Sequence, residues 1–168
     1  DHVEVQGTVG EAPERIIVVG SVEEVAALKV EDEDKVGYLT QTTLSMDDTA
    51  EIIAALKKRF PKIKGPAKDD ICYATQNRQN AVKALSKEVE LVLVVGAQNS
   101  SNSVRLLEVA KTTGVKARRI ESAAELKAEW LEGVRNIGIT AGASAPEDIV
   151  QGIITELRKM SSSSQVRD

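Results

Sequence analysis

The chain has one cysteine and very few aromatic residues, 2% of the whole, and it contains no long uninterrupted apolar run. A single thiol rules out an internal disulfide and cannot by itself close a zinc or iron–sulfur site. Cys72 is therefore either a small buried hydrophobe or one member of a constellation completed elsewhere. The scarcity of aromatics and a formal net charge of -4 leave no stacking platform and no basic stripe, so nucleic acid is not an expected partner. Apolar stretches are strand-sized and fall short of the roughly 18 residues that a membrane helix needs, so no membrane partner is expected. No secretory signal is apparent, and a cytoplasmic location is the expectation.

What the sequence does contain is an alternation of β-branched runs with segments of helical period, the pattern of an α/β fold with parallel sheet flanked by helices. Strands are predicted over Arg15–Gly20, Lys35–Thr40, Glu90–Gly96, Val115–Ile120 and Asn136–Thr140. Helices are predicted over Val22–Leu28, Met46–Phe60, Tyr73–Val89, Ser103–Thr113, Ala123–Glu132 and Pro146–Met160. The pairs Ser21/Glu24, Ser122/Glu125 and Ser144/Glu147 have capping-box spacing, and Pro146 would fall near a first helical turn. The periodicity stops at Pro61-Lys62-Ile63-Lys64-Gly65-Pro66, which suggests two lobes, 1–66 and 67–160, followed by a disordered polar tail, 161–168.

Ligands of open parallel sheets bind beyond the carboxyl ends of strands, where helix N-termini present N–H groups to anions. Three segments place hydroxyls and amides there: Thr40-Gln41-Thr42-Thr43-Leu44-Ser45, Gly96-Ala97-Gln98-Asn99-Ser100-Ser101-Asn102-Ser103 and Thr140-Ala141-Gly142-Ala143-Ser144-Ala145-Pro146. Any one of them reads equally as a cap and a turn. Together they suit a phosphate or diphosphate held by neutral donors. Neither a Walker loop nor a GxGxxG pattern occurs. His2 and Glu4, read on an extended strand, would point to one side and share a ligand; a frayed polar terminus is the competing reading. Cys72 follows charged residues near a predicted helix start, where a thiolate is stabilised.

In order along the chain, these clusters resemble the signatures of the LytB/IspH family, the 4-hydroxy-3-methylbut-2-enyl diphosphate reductases. The matching segments are His2-Val3-Glu4-Val5-Gln6-Gly7-Thr8, the run from Thr40 to Thr49, Asp69-Asp70-Ile71-Cys72-Tyr73-Ala74-Thr75-Gln76-Asn77-Arg78-Gln79, the run from Val95 to Ser103 and that from Thr140 to Pro146. The resemblance implies two lobes of a three-lobed, pseudo-threefold protein: the end of the middle lobe, then the last lobe. It also implies a 4Fe-4S cluster with Cys72 as a ligand, Glu4 as proton donor and Thr42 aligning the substrate hydroxyl. His2, Ser100, Ser101, Asn102 and Ser144 would hold the diphosphate. The implied reaction is reductive removal of an allylic hydroxyl to give isopentenyl and dimethylallyl diphosphates, with electrons from a donor such as ferredoxin or flavodoxin. The family's other cluster cysteines and two further histidines have no counterpart here, so the chain reads as an N-terminally truncated and catalytically incomplete member. A noncatalytic anion-binding α/β module is the alternative.

Overall fold

The computed structural model describes residues 3–66, 71 and 73–164. The chain divides into two compact units, Asp1–Cys72 and Tyr73–Asp168. In chain order the helices are α1 (Val3–Glu11), α2 (Val22–Ala27), α3 (Met46–Arg59), α4 (Tyr73–Leu85), α5 (Ser101–Thr112) and α6 (Glu147–Ser164); the strands are β1 (Leu91–Val95), β2 (Lys116–Ile120) and β3 (Ile137–Ala141). Among the described residues no helix is long and apolar enough to cross a membrane.

The second unit is a three-stranded parallel sheet in the order β2-β1-β3. Leu91-Val92-Leu93-Val94-Val95 is apolar at every position because the central strand is covered on both faces. Its period of two splits the core: Val92 and Val94 pack with Val82, Leu106, Val109 and Ala110 under α4 and α5, whereas Leu91, Leu93 and Val95 pack with Ile120 and Ile153 under α6. The predicted strands Glu90–Gly96, Val115–Ile120 and Asn136–Thr140 form within a residue of their expected limits.

The first unit is helical around a small core of Val25, Leu56 and Phe60. Ser21 caps α2, accepting from the Glu24 N–H at 3.2 Å, while the Glu24 carboxylate reaches back to the Gly20 N–H at 2.6 Å. Arg59 leaves the dipole end of α3 to donate to the Leu28 carbonyl at 2.6 Å, tying α3 to the end of α2.

Four expectations are corrected. The strands over Arg15–Gly20 and Lys35–Thr40 do not form; the only pairing there is one parallel bridge, Gly37 to Lys64, among the described residues. A strand exists only where a neighbour accepts its ladder bonds, and Ile17, Val18 and Leu39 instead stand exposed. The segment from Val3, which holds Glu4, is helical rather than extended. Ala123–Glu132 is not a helix but two 3-10 turns, Ala123–Glu125 and Ala128–Trp130, separated by extended Leu126 and Lys127. Packing of Leu126, Trp130 and Leu131 onto the sheet overrides the helical period in this crossover. Finally, α6 continues to Ser164, four residues into the segment read as a tail.

Two of the capping boxes also differ from expectation. Ser122 makes no side-chain cap, and the Glu125 carboxylate accepts from the Glu121 N–H instead. α6 opens on the Pro146 carbonyl, which accepts from the Val150 N–H at 3.3 Å, so Pro146 sits just before the first turn.

Candidate functional site

Within the first unit, Glu4 lies in the opening turn of α1 and Thr42 in the loop that leads to α3, whose N-cap is Ser45. One carboxylate oxygen, Glu4 Oε1, accepts from both the Thr42 N–H at 3.1 Å and the Thr42 hydroxyl at 3.0 Å. A side chain 38 positions away in sequence thus sets the conformation of the Thr40–Ser45 loop. With its hydroxyl hydrogen and N–H both directed to Glu4, Thr42 keeps its oxygen lone pairs for another partner.

In the second unit, the β1–α5 and β3–α6 loops emerge at the carboxyl ends of neighbouring strands. The chain leaves β1 toward β2 through α5 and then crosses to β3 on the opposite side, which makes this end the switch point where open sheets bind ligands. Ser100 is the N-cap of α5, its Oγ accepting from the Ser103 N–H at 3.4 Å. Ser101 and Asn102 form the first turn beside it, where the helix dipole favours negative charge. Both polar atoms of the Asn102 amide are buried and have no hydrogen-bond partner among the described residues. Such a pair is costly in a folded protein, by about 1–3 kcal/mol, and marks a place where a ligand or water completes the bonding. Ser144 stands exposed on the β3–α6 loop.

The β1–α5 loop is held from outside by groups that the sequence reading passed over. Glu121 Oε1 accepts from the Gln98 N–H at 2.7 Å and from Arg119 Nη1 at 2.8 Å, and the same guanidinium nitrogen donates to the Gly96 carbonyl at 3.0 Å. The Arg119 bond, followed by the Gln98 N–H, holds the Glu121 carboxyl below the ordinary carboxylate value. Nothing local in sequence marks this clamp, since its two halves are brought together by the β1–β2 pairing.

The structure brings Glu4 and Thr42 into contact, and it groups Ser100, Ser101 and Asn102 on one helix start. His2 and Cys72 lie outside the described residues. As for the cluster, the chain holds one cysteine, and among the described residues no three His, Cys, Asp or Glu side chains gather into a metal site. A cluster held by several thiolates is therefore not furnished by these residues alone.

Fold and site together define a parallel α/β protein with hydroxyl- and amide-lined loops suited to an anion at the carboxyl edge of its sheet. The LytB protein family model matches residues 1–158, and the chain belongs to that family. It is 58% identical over 158 residues to the 4-hydroxy-3-methylbut-2-enyl diphosphate reductase of Acidithiobacillus ferrooxidans, covering 94% of this chain and 50% of that protein. Identity to a protein of the same name from Haemophilus influenzae is 51% over 166 residues, 97% of this chain and 53% of the relative. Among solved structures, the E-1-hydroxy-2-methyl-but-2-enyl-4-diphosphate reductase from Plasmodium falciparum superposes with a TM-score of 0.87 at 38% identity, covering 92% of this chain and 49% of that one. The chain spans about half the length of the curated relatives it matches.

Proposed function

We propose that this chain is part of a reductase that converts 4-hydroxy-3-methylbut-2-enyl diphosphate to isopentenyl and dimethylallyl diphosphate, the last step of the non-mevalonate isoprenoid route. The relatives' names supply the substrate and the reductive chemistry, and the resemblance supplies the products. The geometric observation that carries the reading is the buried, unpartnered amide of Asn102 at the start of α5, beside two serine hydroxyls. In this reading Ser100, Ser101, Asn102, Ser144 and His2 donate to the diphosphate. A noncatalytic anion-binding module would need the same donors, but it gives no reason for the Glu4–Thr42 pair.

The reaction adds two electrons and two protons to an allylic alcohol, breaks its C–O bond and releases water. Thr42, held by Glu4, aligns the substrate hydroxyl, and Glu4 delivers a proton to the departing oxygen. Fixing the diphosphate leaves the allylic carbon few orientations, which lowers the entropic part of the barrier. Cys72 would supply one thiolate to a 4Fe-4S cluster, whose chemistry would be electron delivery, and the other ligands would have to come from polypeptide outside these residues. The electrons arrive from a small carrier such as ferredoxin or flavodoxin, and the setting is the cytoplasm.

The test is to join this chain to the rest of its polypeptide, reconstitute with iron and sulfide, and measure consumption of the substrate. Activity that Cys72→Ala abolishes and Glu4→Gln lowers by about 100-fold or more is expected, the size of a general-acid contribution. Diphosphate binding without turnover, unaffected by Cys72→Ala, would instead establish the noncatalytic module.

A further inference from the structure

Ser103 is fully buried although it is a hydroxyl residue, and it lies between two loops of the candidate site. Its Oγ occupies the space that a side chain on Gly96 or on Gly142 would need, so the absence of a Cβ at both positions is what admits the hydroxyl. Gly96 opens the β1–α5 loop and Gly142 opens the β3–α6 loop. The two loops are further joined by the Gly142 N–H, which donates to the Val95 carbonyl at 2.9 Å. Ser103 thus stands where the segment bearing Ser100, Ser101 and Asn102 meets the one bearing Ser144.

Its bonding matters as much as its position. Ser103 Oγ donates to Ser100 Oγ at 3.1 Å, and the Ser103 N–H donates to the same oxygen at 3.4 Å. A serine hydroxyl has two acceptor sites and one hydrogen. With both acceptor sites of Ser100 filled by Ser103, the remaining Ser100 hydrogen is left to point outward as a donor. A hydroxyl so committed suits an anion and repels no lone pair from it.

We infer that Ser103 is a positioning residue for diphosphate: wedged between Gly96 and Gly142, it locks the two loops together and commits the Ser100 hydroxyl to donation. The inference rests on the diphosphate reading of this site and adds a residue that never touches the ligand. Ser103→Ala removes the hydroxyl donor to Ser100 and is expected to weaken binding by up to about tenfold, the upper end for one neutral hydrogen bond. Gly142→Ala reaches the same end from the other loop, because its methyl group forces the Ser103 hydroxyl out of its place. In the double variant the methyl group meets the Ser103 Cβ at 3.6 Å and the Val95 carbonyl oxygen at 3.7 Å, both ordinary contacts. The two changes should therefore be non-additive, the double variant binding no worse than either single one. Gly96→Ala is different: its methyl group would lie 2.8 Å from the Ser103 Cβ itself, so Ser103→Ala should not rescue it.

The experiment is calorimetric titration of inorganic diphosphate into the full chain and its variants, with thermal unfolding of each recorded in parallel. In the reconstituted reductase the same variants should raise KM for the prenyl diphosphate and leave kcat within about twofold, since uniform binding is what is lost. Affinity loss in Ser103→Ala with near-unchanged unfolding temperature, plus non-additivity with Gly142→Ala, supports the positioning role. If Gly142→Ala does not fold, recovery of folding by the double variant supports the wedge, and failure to recover overturns it. Diphosphate binding that Ser103→Ala leaves intact overturns the inference alone. No binding by the unaltered chain overturns the diphosphate reading and the inference with it.

Discussion

Asn102 separates ligand binding from stability. Its amide is buried without a partner among the described residues, so Asn102→Ala removes an unsatisfied group and should leave the unliganded unfolding temperature unchanged or raised. Diphosphate affinity should fall by about tenfold or more in the same variant. A drop of several degrees with affinity intact would make Asn102 a structural residue. This residue was legible in the sequence as one of several polar side chains at a helix start. Its orphaned state was not, because burial and partnering depend on the chain that closes around it. Ser103 was legible only as part of the same run; its spacing from Ser100 is the capping distance, whereas its wedge between two glycines joins residues about 40 positions apart in sequence and has no local mark.

At the scale of elements, the site rests on loops clamped by neighbouring strands. Glu121 holds the β1–α5 loop through the Gln98 N–H, and its carboxyl is kept below the ordinary value of 4.5 chiefly by the Arg119 bond. A carboxyl depressed in the folded state contributes stability above its unfolded pKa and loses it as pH falls through the folded value. Glu121→Gln should accordingly flatten the acid limb of the stability curve below about pH 4.5 and leave neutral pH less affected, as read by urea unfolding across pH. The central strand makes a second test. Leu93 is fully buried among Val95, Ile120 and Ile153, and Leu93→Ala should cost about 2–5 kcal/mol in denaturant unfolding. β1 was plain in the sequence because a five-residue run of valine and leucine, apolar at every position and bounded by Glu90 and Gly96, suits a strand buried on both faces. The crossover from Ala123 to Glu132 misled for the opposite reason: its helical spacing of Leu126 and Trp130 is satisfied by two short turns once the sheet pulls both side chains down.

At the scale of the whole molecule the two units differ in what holds them. The second has a sheet with two faces of core, and the first has four buried apolar side chains, Val25, Leu56, Phe60 and Ile71, and a single bridge among its described residues. Hydrogen exchange should therefore protect Leu91–Val95 most strongly and leave Arg15–Gly20 and Lys35–Thr40 exchanging fast in the isolated chain. Equal protection in both would show that the first unit is more cooperative than its core allows. The chain covers about half of its curated relatives, and a cluster held by several thiolates needs ligands beyond the one thiol present.

The sequence by itself determined the α/β class, the three strands of the second unit, most helix limits and the family, because strand composition, helical period, capping serines and ordered motifs are all local signals. Tertiary structure alone decided that Glu4 would bond Thr42, that Glu121 would brace Gln98, that Ser103 would fill the gap between two glycines, and that Arg15–Gly20 would find no strand partner among the described residues. The physical reason is the same in each case: a donor, an acceptor or an empty volume has meaning only when its counterpart, distant in sequence, arrives within about 3 Å.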